Sequence, residues 1–277
     1  MKAQTKKENS IQQDKKAYNS KSNNSQSNNH PKNDEKTEKR KVTNNKPTSG
    51  LNRDLSKEEQ EEFIKELSYA LTEAVNKVRL NPKYLIPFLE KRLECFKDDF
   101  VYVPPNDHKS RLIDSKIRNT IINNAFGPIL FIEGKKAVEE AIEYLKEVKP
   151  LYELTHNNYL FKTATEHAID MGINGLISHE GSDGKSLIDR VEKVCDWNGM
   201  LSENLEFGSL TPEDILCTWI IDDGVSLRTH RSNLFSDRYK YYGVSVCSHL
   251  TEGVVTVIDL AEELYGFNEV NPNIIEK

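Results

Sequence analysis

The feature that most constrains the fold is a change in hydrophobic period towards the end of the chain. Apolar residues recur at helical spacing in segments such as 63–78 and 158–173. Residues 242–247 and 254–258 instead read as strands, joined by a hairpin loop at 251–253. Helices followed by a closing strand pair predict an α+β domain in which helices cover an antiparallel sheet.

Several helix ends are marked by local signals. Ser56 and Glu59 form a capping box, and Asn81-Pro82 ends the helix that it opens. Thr211-Pro212 combines an N-cap with proline at the first helical position, so it starts a helix containing Trp219. These signals predict both the helix order and the loops between helices.

Residues 1–50 differ in composition from the rest of the chain. They are crowded with Asn, Ser, Lys and Gln and carry 12 basic against 5 acidic residues, whereas the whole chain has a net charge of −6. Such a segment cannot bury enough apolar surface to offset its ordering entropy. We predict a disordered, basic low-complexity tail at 1–50 and one folded domain at 51–277.

The sequence also predicts where the protein resides. No apolar stretch follows the basic start, so no signal peptide is indicated, and no run approaches the roughly 20 apolar residues of a transmembrane segment. We expect a cytoplasmic protein with reduced cysteines, and secretion is the alternative. The cysteines are scattered and form no CxxC pair: Cys95, Cys195, Cys217 and Cys247.

Four short polar segments suggest one functional site. They are Ser178-His179-Glu180-Gly181, Ser202-Glu203-Asn204-Leu205, Trp219-Ile220-Ile221-Asp222 and Thr229-His230-Arg231-Ser232-Asn233-Leu234. Two imidazoles and two carboxylates that converge in a cleft can bind a divalent metal or relay a proton. We predict a cleft built from His179, Glu203, Asp222 and His230.

These motifs, in this order, resemble the CAP superfamily of SCP-like domains, which includes cysteine-rich secretory proteins. An early Asn-x-x-Arg motif also matches, as does an aliphatic-Gly-Val strand, at 76–79 and 242–246. The similarity runs from about residue 68 to 260, with an expanded segment at about 90–150. It is greatest to the bacterial-type branch, and the disulfides of secreted members are absent.

The resemblance implies a three-layer α-β-α sandwich with a central antiparallel sheet. It also implies a cleft of two His and two Glu, three of which map onto His179, Glu203 and His230. The fourth maps onto Asp222, which is one methylene shorter than Glu.

Zinc is the cofactor that this cleft suggests, with His179 and His230 as its ligands and the carboxylates orienting the rings. The alternative is that these side chains only hydrogen-bond one another and nearby backbone. We place Glu203 in a turn before the Thr211 helix. We further expect His167 to be a core residue and His249 to lie on the hairpin surface.

Three functions follow from these observations. The first is a non-catalytic CAP-domain binding module for a small apolar ligand, such as a sterol or lipid, or for a protein partner. The second is a metal-dependent hydrolase or peptidase that uses the same cleft, although no Gly-x-Ser-x-Gly elbow is present. The third is an interaction protein acting through its tail and expanded segment. Nucleic acid is a disfavoured partner, because acids intersperse the positive charges of the tail.

Overall fold

The computed structural model describes residues 56–104 and 128–266. The predicted tail at 1–50 and the middle of the expanded segment lie outside the described residues. The described elements, in chain order, are α1 Lys57–Leu80, a 3-10 turn Pro82–Leu85, α2 Ile86–Glu94, β1 Val101–Tyr102, β2 Ile129–Leu130, α3 Lys135–Glu147, β3 Thr155–His156, α4 Asn158–Asn174, α5 Leu187–Glu192, β4 Asp196–Phe207, α6 Pro212–Ile221, α7 Thr229–Leu234, β5 Tyr241–His249 and β6 Gly253–Tyr265.

The helix ends follow the sequence signals. The Ser56 side chain accepts the N–H of Glu59, and the Glu59 carboxylate accepts the N–H of Ser56, which is the predicted capping box of α1. At the start of α6 the Thr211 side chain accepts the N–H of Asp214, and Pro212 lies in the first turn. Gly175, in the left-handed region with φ of 63°, ends α4.

The main sheet has the strand order β3-β5-β6-β4. Strands β4, β6 and β5 pair in antiparallel fashion, which confirms the predicted α+β class and the closing hairpin. The two-residue strand β3 adds a parallel pair to the outer side of β5. Strands β1 and β2 form a separate short ribbon.

Helices cover both faces of this sheet. Leu160 of α4 and Val191 of α5 pack with Ala261 of β6 on one face. Residues of α1 and α6 pack against the opposite face, where Val244 and Ile258 lie. Successive strand residues point to opposite faces, so odd-numbered β6 residues face α4 and even-numbered residues face α1 and α6. The chain therefore forms the three layers that the resemblance implied.

Helix α4 lies very close to the sheet because β5 carries a glycine at the crossing. A Cβ atom on Gly243 would lie 2.0 Å from the backbone nitrogen of Phe161. Glycine is therefore required at this crossing, and it fixes the height of α4 above the strands.

Strand β4 corrects one prediction. Glu203 does not lie in a turn but within a 12-residue strand that pairs with β6. The strand is rich in Asp, Asn, Gly, Ser and Glu, which have low strand propensity, and its first half shows no clean alternation. Its conformation is set by pairing with a partner that lies far along the chain.

The two remaining histidine predictions have different outcomes. His167 is a core residue at 1% exposure, as predicted, but the expectation that its ring is fully hydrogen-bonded is wrong, because among the described residues its Nδ1 has no partner. The prediction for His249 is wrong, because its ring is fully buried and its Nε2 lies 2.9 Å from the carbonyl oxygen of Leu176. The segment after α4 folds over the hairpin end and covers this ring.

All four cysteines lie in the described ranges, and they form no disulfide with one another. In the described ranges no helix combines the length and the apolar character needed to cross a bilayer.

Candidate functional site

Asp222 and His230 form the first of two histidine–carboxylate pairs. Asp222 ends α6 in the left-handed region, with φ of 52°, and His230 lies in the first turn of α7. One carboxylate oxygen lies 2.6 Å from Nδ1 of His230, and the other accepts the backbone N–H of His230 at 2.8 Å. The Asp222 side chain is only 2% exposed. The shorter acid therefore still reaches the imidazole, because the turn after α6 brings its backbone close to α7.

His179 and Glu203 form the second pair. Nδ1 of His179 lies 2.8 Å from Oε1 of Glu203. The other carboxylate oxygen accepts a hydrogen bond from Arg190 of α5. Arg190 also donates to the carbonyl oxygen of His179, at 3.1 Å. Arg190 thus holds both the acid and the loop that carries the imidazole.

Charge around Glu203 keeps its carboxyl group ionised. Burial by itself raises the pKa of Glu203, but the Arg190 charge and the hydrogen bond from His179 outweigh burial and lower the pKa to about 2. The side chain is 2% exposed. At neutral pH it is a buried, paired anion.

Two members of this network, Arg190 and Asp259, were not predicted from the sequence. Asp259 of β6 lies directly opposite Glu203 in the sheet and accepts a hydrogen bond of 2.6 Å from the Thr163 hydroxyl. Burial and the negative charge of Glu203 raise the pKa of Asp259 well above its usual value. A carboxyl group inside an apolar strand pattern is the signal that could have identified it.

His167 lies beside the same carboxylate. Its Nε2 is 3.1 Å from the carbonyl oxygen of Ser178 and 3.8 Å from Oε1 of Glu203. Burial lowers its pKa, more than the Glu203 charge raises it. His167 is therefore a neutral side chain that contacts the loop carrying His179.

The two pairs flank strand β4. The Glu203 side chain faces α4 and α5, whereas its neighbours point to the other face. There Ser202 Oγ donates to Asn233 Oδ1 at 3.0 Å, and Asn204 Nδ2 donates to the carbonyl oxygen of His230 at 2.9 Å. The backbone of β4 thus carries one pair on each of its two sides.

The end of the expanded segment braces the Asp222–His230 pair. Arg228 donates to both carboxylate oxygens of Glu133, at 2.6 and 2.8 Å, and to the carbonyl oxygen of Asp222 at 2.7 Å. Arg231 donates to both carboxylate oxygens of Glu140 of α3, at 2.5 and 2.7 Å. These forked pairs fix the loop between α6 and α7.

The early Asn-x-x-Arg motif holds loops and contributes to neither histidine–carboxylate pair. The Asn76 amide exchanges two hydrogen bonds with the backbone of Leu154. The buried Arg79 donates to the carbonyl oxygens of Tyr152, Leu234 and Ser236. Arg79 thereby anchors the C-terminal end of α7.

The described residues do not form a complete metal site. Among them, no group of three or more His, Cys, Asp or Glu side chains is arranged to hold a metal ion. Zinc sites use three or four protein ligands, so His179 and His230 alone fall short of that set. The two-histidine zinc site stays a prediction.

Two features define the class of this domain. They are the three-layer sandwich and the two histidine–carboxylate pairs beside strand β4. The family model described as the cysteine-rich secretory protein family, CAP, matches residues 72–258, more than half of the chain. The chain belongs to this family, which confirms the resemblance drawn from the motifs.

Solved structures of bacterial proteins are also similar to this chain. An outer surface protein from Borrelia burgdorferi is 20% identical, with a TM-score of 0.35, over 46% of this chain and 90% of its own. An extracellular SCP-domain protein from Bacillus anthracis is 17% identical, with a TM-score of 0.35, over 56% of this chain and 45% of its own. A cysteine-rich secretory protein from Staphylococcus aureus is 17% identical, with a TM-score of 0.32, over 46% of this chain and 37% of its own.

The chain thus spans less than half the length of the last two proteins. None of the curated proteins compared with the sequence matches it. The cytoplasmic location stays a prediction.

Proposed function

We propose that this protein is a non-catalytic CAP-domain binding module whose ligand, a small apolar molecule or a protein partner, contacts both histidine–carboxylate pairs. The observation that carries the proposal is that a buried carboxylate fixes Nδ1 of each imidazole, His179 at 2.8 Å and His230 at 2.6 Å. Rings held in this way lose little freedom on binding, and such preorganisation favours affinity.

The acid–base chemistry of the cleft supports binding over hydrolysis. A general base works best when its pKa lies near the working pH, whereas the pKa of Glu203 is about 2. The hydroxyl oxygen of Ser178 accepts the N–H of Glu180 at 2.9 Å. The hydroxyl of Ser182 donates to Asp170 at 2.5 Å. Both serines beside His179 are thus engaged in loop structure.

Three of the four thiols are poor nucleophiles. Burial raises the pKa of Cys195 and Cys247 to about 11 and that of Cys217 to about 12. The thiolate is the reactive form of cysteine, so these side chains are inert at neutral pH.

Three exposed apolar side chains lie on the two segments next to the Asp222–His230 pair, and they suit either class of ligand. Leu130, Ile132 and Leu227 are 74%, 52% and 58% exposed. The backbone N–H of Ile132 bonds the Asp223 carboxylate at 2.6 Å, which ties this surface to the loop after α6. Exposed apolar patches on a folded domain commonly mark interaction sites.

Binding to a defined panel tests the proposal. The full chain is titrated with a fluorescent sterol, a fluorescent long-chain fatty acid and a library of displayed hexapeptides. His179→Ala and His230→Ala should each weaken the probe that binds by about tenfold, since each removes a polar contact. The matched control is His156→Ala, an exposed histidine on β3. Binding that none of the three substitutions changes would show that the ligand does not use this cleft.

A further inference from the structure

We propose that the outer edge of β4, at Leu201 and Glu203, binds an extended peptide by strand addition. This inference rests on the proposed function and names the class of partner. The peptide backbone would pair with β4, and the peptide would run between the two histidine–carboxylate pairs.

Strand order and register show that this edge faces away from the sheet. β4 is the last strand of the order β3-β5-β6-β4. The N–H of Gly208 bonds the carbonyl oxygen of Val254 at 3.0 Å, so the residues two, four and six places earlier also bond to β6. Those residues are Glu206, Asn204 and Ser202. The backbone groups of Leu201, Glu203 and Leu205 therefore point outward.

An independent contact confirms this assignment. The indole N–H of Trp219 donates to the carbonyl oxygen of Leu205 at 3.0 Å, from outside the sheet. At Leu201 and Glu203, the described part of the chain supplies no hydrogen bond to the outward N–H and C=O groups. Unpaired backbone groups along a strand edge are a template for another extended chain.

The available edge is short and has defined ends. The register with β6 shifts between Asn198 and Leu201, and Gly199 has φ of 83° in this irregular stretch. Trp219 covers the other end at Leu205. An added strand would therefore pair with the edge between these two limits, beside Glu203.

The alternation of a strand explains how both histidine pairs can contact one peptide. A residue directly opposite Glu203 would point its side chain to the same face, where His179 lies. The next peptide residue would point to the face of Ser202 and Asn204, where His230 lies. Adjacent peptide side chains would thus reach different histidine pairs.

Backbone chemistry favours a peptide over a small apolar molecule at this edge. A bound apolar molecule would cover the N–H and C=O groups of Leu201 and Glu203 without replacing their hydrogen bonds to water. Leaving such groups unsatisfied is costly. An extended peptide offers an alternating donor and acceptor at the matching spacing.

The first test uses N-methylated peptides. Hexapeptides are selected from the displayed library on the immobilised full chain, and the tightest is synthesised with a single N-methyl group at each position in turn. Methylation should weaken binding by about tenfold at the alternate positions whose N–H faces β4, and should have little effect at the others. Losses that do not alternate, or a library that yields no binder, would overturn strand addition.

The second test is amide hydrogen exchange of the full chain. Without peptide, the backbone amides of Leu201 and Glu203 should exchange fast, and bound peptide should slow them by about tenfold or more. The amides of Ser202 and Asn204 should exchange slowly in both states. Unchanged exchange at Leu201 and Glu203 with peptide bound would also overturn the inference. If His179→Ala weakens a sterol or fatty acid while both peptide tests fail, only this inference falls and the proposed function stands.

Discussion

Replacing Glu203 by glutamine should destabilise the protein by about 3 kcal/mol at neutral pH. The carboxylate is 2% exposed and holds both His179 and Arg190. Its pKa falls from 4.5 to about 2 in the folded chain, and each tenfold difference in proton affinity is worth about 1.36 kcal/mol. The amide leaves the Arg190 guanidinium buried without an opposite charge, which commonly costs about 3–5 kcal/mol.

The pH dependence gives this prediction a second check. A carboxyl group whose folded pKa is lowered stabilises the fold above its unfolded pKa, and that stability is lost as the pH falls through the folded value. The difference between wild type and Glu203→Gln should therefore be complete above pH 4.5 and should shrink as the pH falls towards 2.

Urea unfolding of the full chain measures the effect. The matched control is Glu66→Gln, an exposed acid on α1, which should change the unfolding free energy by less than about 0.5 kcal/mol. If Glu203→Gln behaved like this control at pH 7, the carboxylate would not anchor the site and the account of the His179 pair would be refuted.

Three further predictions concern other parts of the chain. Asp259→Asn should stabilise the fold at neutral pH, because burial and the Glu203 charge raise the pKa of Asp259 in the folded chain and so disfavour its ionised form, whereas the unfolded chain releases this proton above pH 3.8; urea midpoints should differ at pH 7 and converge below pH 3.8, and a destabilised variant at pH 7 would contradict this. Zinc should bind weakly at about pH 7.5 and less at about pH 5.5, because metal-binding imidazoles must be neutral. Calorimetric titrations should show that His230→Ala takes up less zinc than wild type, and equal uptake by the two proteins would rule out His230 as a ligand. Deleting residues 1–50 should leave the thermal midpoint unchanged, because the segment offers little apolar surface to bury; a loss of several degrees in parallel melts would mean that the tail docks.

Local signals in the sequence were sufficient to predict much of the fold. The caps at Ser56 and Thr211, and the period-two pattern at the end of the chain, act within a few residues, so they can be read without a structure. The pairing of His179 with Glu203 and of Asp222 with His230 could be anticipated only through the order of the family motifs.

The features that could not be predicted from the sequence depend on contacts between distant parts of the chain. Glu203 lies in a strand because β6 pairs with it, although its neighbours Ser202 and Asn204 have low strand propensity. In the sequence, His249 follows the predicted strand 242–247 and precedes the hairpin loop, a position that is typical of an exposed residue. It is buried because α4 crosses close by at Gly172, where a Cβ would lie 2.1 Å from the Ser248 carbonyl oxygen.

The two histidine–carboxylate pairs are proposed to bind a ligand rather than to catalyse a reaction, and a turnover assay tests this most directly. The full chain and Glu203→Gln are incubated in parallel with broad panels of peptide and ester substrates, and the unfolding free energy is measured on the same samples. We expect no turnover above the buffer blank by either protein, together with a loss of stability in the variant. Turnover by wild type that disappears in an equally stable Glu203→Gln would contradict the proposal and identify the protein as an enzyme.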